Sequence, residues 1–273
     1  MRKYFKNSVV FILAASVALC MASCEKELDF EYHDIDPIPV VEASLTEHGA
    51  EVSLTRSVAM DEPMDTLRLT GAEVRLTDLT SGESRLLKAG ADGVFRNAIP
   101  GVTGHDYSLS VSMDGKVYES SARMLAACEI TGVGFRWIKM PGDDMAILQV
   151  HFTDLPQTAD YYWVRVYRNG EFYAWDAITD HGAVGGVIEE NITTTHRDPS
   201  QEKDDKSLLL DGDEVRVSVT PVDRRMFDYL IALLDDSDGP ALFDGGLCLG
   251  YFLASPVAVR STVYRPDEIE YAK

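Results

Sequence analysis

The sequence predicts a mainly β protein, built of two β-sandwich-like modules with one short α-helix late in the chain. Three observations favour this class. Apolar and polar residues alternate along many short segments, which is the pattern of strands with one buried face. Pairs such as Asp114-Gly115 and Asn169-Gly170 separate these segments and suit tight hairpin turns. A clear helical period is confined to residues 223–234.

The first 23 residues are predicted to be a signal peptide rather than part of the fold. Arg2, Lys3 and Lys6 precede an apolar run, residues 9–19, and small residues follow at Ala22 and Ser23. This order is typical of secretory signal peptides. The apolar run is shorter than the ~20 residues that a transmembrane helix needs.

The signal peptide ends at a site for lipid attachment. Met21-Ala22-Ser23-Cys24 resembles a bacterial lipobox, which implies cleavage before Cys24 and transfer of acyl chains to its sulfur and its new amino group. Several chains on one residue anchor a protein stably where one chain does not. This covalent lipid is the only prosthetic group that the sequence predicts. The alternative is an ordinary secreted protein with an incidental cysteine.

Residues 24–39 are predicted to form an acidic, extended tether. Glu25, Lys26, Glu27 and Asp29 follow the cysteine directly, and prolines at 37 and 39 disfavour helix. The acidic cluster resembles the export signal of Bacteroidota-type surface lipoproteins, which implies display on the outer face of the outer membrane. In the alternative interpretation these residues are only a solvated linker.

The net charge excludes one class of partner. Loss of residues 1–23 removes three basic groups and no acidic ones, which takes the count from 25 Lys plus Arg to 22 against 45 Asp plus Glu. Nucleic acids require a positive surface, so a nucleic-acid partner is not expected. An acidic surface also keeps an exposed protein soluble, so it identifies no cationic ligand by itself.

Residues 40–125 are predicted to form the N-terminal β-sandwich. Alternating segments lie at 41–45, 51–55 and 73–77, and a hairpin spans 108–118. Gly71-Ala72-Glu73-Val74, Gly93-Val94-Phe95 and Tyr107-Ser108-Leu109 follow one another in an order that resembles the transthyretin-like or carboxypeptidase-regulatory β-sandwich. The resemblance implies a two-layer sandwich for this module.

Residues 128–264 are predicted to form the second β module, followed by a C-terminal tail at 265–273. Strands are expected at 147–152, 161–167, 213–219 and 257–259, and the polar stretch 189–207 predicts a long loop. Asp223 is placed to cap the helix 223–234. Its apolar face is expected to pack on the second sandwich, with partner binding as the alternative.

The chain as a whole resembles one family of lipoproteins. The shared features are the lipobox with its acidic tether, Pro39-Val40-Val41-Glu42-Ala43, Tyr161-Tyr162-Trp163, the late helix and Gly250-Tyr251-Phe252. They resemble the Bacteroidota outer-membrane lipoproteins of the domain-of-unknown-function 4249 family, commonly encoded beside TonB-dependent receptors. The resemblance implies an accessory to an uptake receptor and carries no catalytic residues. Gly245-Gly246 departs from the asparagine-containing pattern expected there.

The motifs of common enzymes are missing from the sequence. There is no His-Glu-x-x-His, Gly-x-Ser-x-Gly or Gly-x-x-x-x-Gly-Lys, so no catalytic residue and no metal site is predicted. Asp235, Asp236 and Asp238 precede Gly239, but no glutamate completes a calcium loop. The histidines are scattered rather than at ligand spacing: His33, His48, His105, His151, His181 and His196.

Two further residue groups remain open. Cys128 and Cys248 are the cysteines left beyond the signal region in an exported chain, so they could form a disulfide, but both lie in apolar segments that also suit buried free thiols. Trp163, Trp175 and Tyr162 lie in an aromatic-rich stretch that could stack on sugar rings or simply fill a core.

These observations predict a surface-exposed, lipid-anchored outer-membrane protein that binds rather than catalyses. The first hypothesis is an accessory subunit of a TonB-dependent nutrient-uptake system, with the barrel receptor as its partner. The alternative is a structural or adhesive envelope lipoprotein, such as a pilus-related subunit, which would polymerise or exchange a terminal strand. The ligand stays unidentified at this point.

Overall fold

The computed structural model describes residues 36–58, 68–155, 160–180, 185–198, 200 and 208–272. The predicted signal peptide, the lipidation residue Cys24 and most of the tether lie outside these residues. Sixteen strands, one α-helix and a short 3-10 turn at Pro266–Glu268 make up the regular structure of the described part of the chain. The mainly β class, with β-sandwich modules and one short late helix, is confirmed.

The strands are numbered in chain order. The first eight are β1 (Pro39–Thr46), β2 (Gly49–Arg56), β3 (Glu73–Asp78), β4 (Ser84–Leu86), β5 (Lys88–Ala89), β6 (Phe95–Asn97), β7 (Asp106–Met113) and β8 (Lys116–Arg123). The next six are β9 (Ile130–Ile138), β10 (Met145–Asp154), β11 (Tyr161–Arg168), β12 (Glu171–Thr179), β13 (Gly186–His196) and β14 (Glu214–Val222). The chain ends with helix α1 (Arg224–Leu234), β15 (Leu249–Ala254) and β16 (Ala258–Val263).

The first sandwich contains a five-stranded sheet, in the order β15-β1-β2-β6-β5, and a four-stranded sheet, in the order β4-β3-β7-β8. Alternate residues of the two sheets form one core, in which Val41, Leu54 and Leu109 are fully buried. The predicted hairpin is confirmed, because β7 pairs with β8 across Asp114 and Gly115, which both have positive φ.

The second sandwich contains a three-stranded sheet, β13-β10-β9, and a four-stranded sheet, β12-β11-β14-β16. Phe152, Val164 and Val217 are fully buried in a core of their own. The loop predicted at 189–207 is wrong over its first half, since 189–196 belong to β13 and pair with β10. β13 is an edge strand with one polar face, so its composition is close to that of a loop.

The assignment of the whole range 128–264 to the second module needs correction. β15, assigned above to the second module, pairs in parallel with β1 and completes the first sandwich, with Val41 opposite Gly250. Within the described residues the chain therefore passes between the sandwiches three times: after β8, after β14 and after β15. Pro37–Lys273 accordingly form one compact unit.

Gly250 makes this parallel pairing feasible. Its φ is +99°, and a Cβ placed on it would lie 2.0 Å from the carbonyl oxygen of Val41. Any other residue would combine a strained backbone with a backbone clash, so the chain requires glycine where β15 meets β1.

Helix α1 begins as predicted, because the carboxylate of Asp223 accepts a hydrogen bond from the backbone N–H of Met226 at 2.7 Å. The predicted packing on the second sandwich is confirmed, but it is only part of the packing of the helix. Met226 and Leu230 are buried in the same cluster as Leu253 of β15, while Phe227 lies 4.7 Å, between ring centroids, from Tyr161 of β11. The helix therefore contacts both sandwiches.

The predicted C-terminal tail is part of the folded body. The indole N–H of the buried Trp137 donates to the carbonyl oxygen of Pro266 at 3.1 Å. The backbone of Trp137 also bonds to Glu270 and Ala272, so residues 270–272 extend along the end of β9. No helix among the described residues has the length and apolarity to cross a membrane.

Candidate functional site

The two faces of strand β11 lie in different environments. Its even-numbered residues, Tyr162, Val164 and Val166, are fully buried inside the second sandwich. Its odd-numbered residues lie on the outer face of the β12-β11-β14-β16 sheet, where they are partly exposed: Tyr161, Trp163, Arg165 and Tyr167. This outer face collects most of the aromatic residues that the sequence singled out, so it is the candidate functional site.

Tyr162 is not a ligand-binding residue, which corrects one of the three aromatic candidates. Its hydroxyl donates to Asp154 Oδ1 at 2.9 Å and accepts from the backbone N–H of Leu155 at 3.1 Å. Its ring packs edge-on against Phe152, with 4.7 Å between centroids. Burial raises the pKa of Tyr162 far above its usual range. The side chain therefore belongs to the core and holds the loop after β10.

Trp163 and Trp175 do come together, at the place where the two sandwiches meet. Their ring centroids are 6.2 Å apart in an edge-to-face arrangement, and Trp163 makes a second such contact with Tyr251 of β15, at 5.5 Å. We call Trp163, Trp175 and Tyr251 the aromatic joint. Burial raises the pKa of Tyr251 to about 12, which agrees with its place between two packed sheets.

The face of the Trp163 ring is covered by an arginine rather than left open. The guanidinium carbon of Arg165 lies 4.3 Å from the ring centroid, and Arg165 Nη2 donates to Thr220 Oγ1 at 3.3 Å. A sugar ring would need this face to stack. The carbohydrate platform suggested for Trp163 is thus blocked on this face in the structure.

Two buried donors at the aromatic joint find no acceptor among the described residues. They are the indole N–H of Trp163 and the Nε–H of Arg165. Buried donors of this kind are uncommon in folded proteins, and each costs about 1–3 kcal/mol when unpaired. The joint is therefore polar at its centre although it is lined by aromatic rings.

The other end of this outer sheet face is open. The guanidinium carbon of Arg216 lies 4.6 Å from the ring centroid of Tyr167, and Phe172 packs edge-on against the same ring at 6.1 Å. Phe172 is 59% exposed, and Val259 and Val263 on β16 are 55% and 43% exposed. We call the group Tyr167, Phe172, Arg216, Val259 and Val263 the open face.

Arg165 and Arg216 differ from most arginines of the chain because neither forms an ion pair with a described residue. Arg96 bonds to both Asp92 and Glu51, and Arg168 bonds to Asp213 at 2.7 Å. Glu214 lies on the same face, at the start of β14, without an ion pair to Arg216 among the described contacts. The outer sheet face therefore carries Arg165, Arg216 and Glu214 without an ion pair among the described residues.

The first sandwich contains a separate small cavity of about 110 Å³, lined by Leu45, Leu76, Tyr107 and neighbouring residues. Near it, His105 Nδ1 lies 2.8 Å from Asp78 Oδ2. Burial alone would raise the pKa of Asp78, but hydrogen bonds from His105 and from the backbone of Ser81 and Thr80 outweigh it and lower the pKa to about 2.

Cys128 and Cys248 are separate, buried thiols, so the suggested disulfide is not present. Cys128 lies in the core of the second sandwich and Cys248 in that of the first, and both are free. Burial raises the pKa of Cys128 to about 12 and that of Cys248 to about 11. Neither thiol is accessible or ionised enough to act as a nucleophile at neutral pH.

Metal binding finds no ready set of ligands in the described part of the chain. No group of three or more His, Cys, Asp and Glu side chains there is arranged around a common point. His105 and His196 each pair with an aspartate, Asp78 and Asp143, and His151 lies 3.7 Å from Glu189.

The sequence suggested only part of this site. Trp163 and Trp175 were singled out, whereas Arg165, Arg216 and Tyr251 were not. The alternation of apolar and polar residues over 161–167 and 213–219 does indicate that Arg165 and Arg216 lie on the outward faces of β11 and β14. The sequence pattern could therefore have identified both arginines. Tyr251 was beyond reach, because β15 returns to the first sandwich from a distant part of the chain.

Comparisons with known proteins add little to this description. No protein-family model matches the chain, and no curated protein matches it. Among solved structures the chain is similar to a two-domain fibronectin type III segment from chicken tenascin, with 16% sequence identity and a TM-score of 0.22. The match covers 68% of this chain and 91% of that chain. At such a TM-score the likeness supports no conclusion about function.

Proposed function

We propose that this chain is a surface-exposed outer-membrane lipoprotein, held by acyl chains on Cys24, and a non-catalytic binding subunit of a TonB-dependent nutrient-uptake system. The observation that carries the proposal is the sequence Met21-Ala22-Ser23-Cys24 after a short apolar signal, with the acidic tether behind it. The family resemblance stated above supplies the link to an uptake receptor.

The architecture supports a binding role in two ways. The two sandwiches share the aromatic joint and are connected by three chain passages, which suits a body that presents a fixed surface on a tether. The open face combines exposed apolar side chains with one arginine, Arg216, that forms no ion pair with a described residue, and this composition suits a binding surface.

The adhesive alternative would require a strand that can be exchanged between subunits. β1, the first strand of the folded body, is hydrogen-bonded to β15 on one side and to β2 on the other. Releasing it would break two ladders of the first sandwich, which makes the N-terminal strand a poor donor. The N-terminal strand therefore gives the adhesive alternative no support.

The proposal is tested by capture from outer membranes. A C-terminally tagged wild-type chain, extracted in mild detergent, is expected to bring down a TonB-dependent barrel in near-stoichiometric amount, identified by mass spectrometry. The Cys24→Ser variant controls for anchoring and is expected to lose the barrel or retain only a fraction of it. Recovery of the wild-type chain alone, or with filament subunits, would refute the uptake role.

A further inference from the structure

The open face is the part of the outer sheet that the rest of the molecule leaves uncovered. At the other end of the same sheet, Tyr161 and Trp163 are packed against Phe227 of α1 and Tyr251 of β15. No such cover reaches Phe172, Val259 or Val263, which stay 43–59% exposed. These three side chains, on the two edge strands of the sheet, are therefore accessible to a partner.

The open face presents an arginine on a strongly acidic chain. The chain carries a net charge of −20 even with its signal peptide, yet Arg216 is exposed on β14 without an ion pair to a described residue, although Glu214 lies two residues away on the same face. Many exposed arginines elsewhere form ion pairs, such as Arg75 with Glu73 and Arg85 with Glu83. Arg216 instead offers a carboxylate of a partner a guanidinium that no described carboxylate already pairs with.

The guanidinium of Arg216 is also held in place before any partner arrives. It stacks on Tyr167, whose ring is in turn fixed by the edge contact with Phe172. A stacked arginine keeps its N–H donors free at its edge, in a fork that fits a carboxylate. Because its orientation is already restricted, less entropy is lost when a carboxylate binds.

The occupant that fits best is a protein. A guanidinium group covers one face of Tyr167 and one face of Trp163, which leaves less aromatic surface for a sugar ring to stack on. Arginine and aromatic residues beside exposed aliphatic ones are instead the composition of protein interfaces.

We propose that the open face docks this chain onto its partner protein, through a segment of that partner in which carboxylate side chains lie beside apolar ones. The proposal rests on the uptake role proposed above, with the TonB-dependent barrel as the partner. Arg216 is its charged anchor and Phe172 its apolar anchor.

The test uses the tagged, lipid-anchored full chain and the barrel it recovers. Arg216→Glu is compared with Arg136→Glu, an exposed arginine on β9 in the other sheet that also lacks an ion pair to a described residue. Arg216→Glu is expected to reduce recovery of the barrel by about ten-fold or more, as expected for an anchor residue, and Arg136→Glu by less than about two-fold. Urea unfolding of both variants checks that the fold is intact.

A photo-crosslinking amino acid gives a second measurement that does not depend on affinity. Placed at position 172 it is expected to trap the barrel; placed at Val187, a 60% exposed residue of β13 on the other sheet, it is expected to trap none. If the wild-type chain recovers the barrel while Arg216→Glu and position 172 behave like their controls, the docking surface is wrong and the uptake role stands.

The remaining outcomes separate the two proposals. A filament subunit trapped from position 172 and lost in Arg216→Glu would support this docking surface and refute the uptake role. A wild-type chain that recovers and traps no partner would overturn both.

Discussion

The guanidinium carbon of Arg165 lies 4.3 Å above the indole ring of Trp163, and this stack sits at the contact between the two sandwiches. The arginine covers a ring that is otherwise held at its edges by Trp175 and Tyr251. The relationship explains why an arginine occupies the middle of an aromatic strand: it fills the space over Trp163 with its stem and its planar head.

Arg165→Ala is expected to lower the free energy of unfolding by about 1–2 kcal/mol, because the variant loses a partly desolvated cation–π contact and the packing of the aliphatic stem. Relief of the unpaired Nε–H offsets part of the loss. Urea titration followed by tryptophan fluorescence measures the change. Arg136→Ala, an exposed arginine without a ring contact, is the control and should stay within about 0.5 kcal/mol. Equal effects in both variants would show that the stack adds no stability.

Tyr162→Phe is expected to destabilise the protein by about 1–3 kcal/mol, because Asp154 and the N–H of Leu155 each lose their partner at the buried hydroxyl. Denaturant unfolding at neutral pH provides the measurement. Tyr161→Phe removes only an exposed hydrogen bond from Arg224, so it should cost less than about 0.5 kcal/mol. An unchanged free energy of unfolding in Tyr162→Phe would mean that the hydroxyl of Tyr162 does not stabilise the core.

Gly250→Ala is expected to cost more than about 3 kcal/mol, since a positive φ and a contact of 2.0 Å with the Val41 carbonyl oxygen act together. Gly104→Ala has a similar φ, +85°, with open space around the added Cβ, so backbone strain alone should cost about 1 kcal/mol. The difference in unfolding midpoint between the two variants isolates the pairing of β15 with β1. Similar midpoints would argue against that pairing.

Asp78 makes a contribution to the stability of the first sandwich that depends on pH. Its pKa in the folded protein is about 2, below the ordinary 3.8, so the stabilisation is present in full above pH ~4 and is lost as the pH falls towards 2. Asp78→Asn should therefore have a lower free energy of unfolding than wild type at pH 6, and this difference should narrow between pH 4 and pH 2. Asp114→Asn, in an exposed pair with Arg56, should differ little from wild type over the whole pH range. A difference for Asp78→Asn that stays constant with pH would mean that lost packing, rather than lost charge, causes it.

Both buried cysteines are expected to react with a thiol reagent only after unfolding. In the Cys24→Ser mature chain, the folded protein should titrate no thiol and the denatured, unreduced protein two, because Cys128 and Cys248 lie in different cores. If no thiol reacts after denaturation, Cys128 and Cys248 are joined in a disulfide.

The sequence predicted those parts of the fold that depend on local patterns. The alternation along β7 and β8 with Asp114-Gly115 between them identified a hairpin, and the change of period at Asp223 identified the helix. Both signals come from residues close together in the chain. β13 was missed because a polar edge strand has no apolar run to distinguish it from a loop.

Long-range relations could not be predicted in this way. Nothing near Gly250 indicates that β15 lies parallel to β1, since the pairing joins residues as far apart in the chain as Val40 and Leu249. The aromatic joint needs this pairing, because Tyr251 is delivered to Trp163 by β15. The division of the aromatic candidates into the buried Tyr162 and the outward Trp163 and Trp175 therefore depends on the topology.

We propose that a lipid on Cys24 holds the folded body at the outside of the cell, and fatty-acid labelling combined with external proteolysis tests this directly. Intact cells that produce the wild-type chain or Cys24→Ser are fed a clickable fatty acid and then treated with an external protease. The account predicts that the wild-type chain is labelled and is digested on intact cells, while Cys24→Ser is unlabelled and leaves the membrane fraction. A wild-type chain that carries no fatty acid, or that is protected until the outer membrane is broken, would contradict the account.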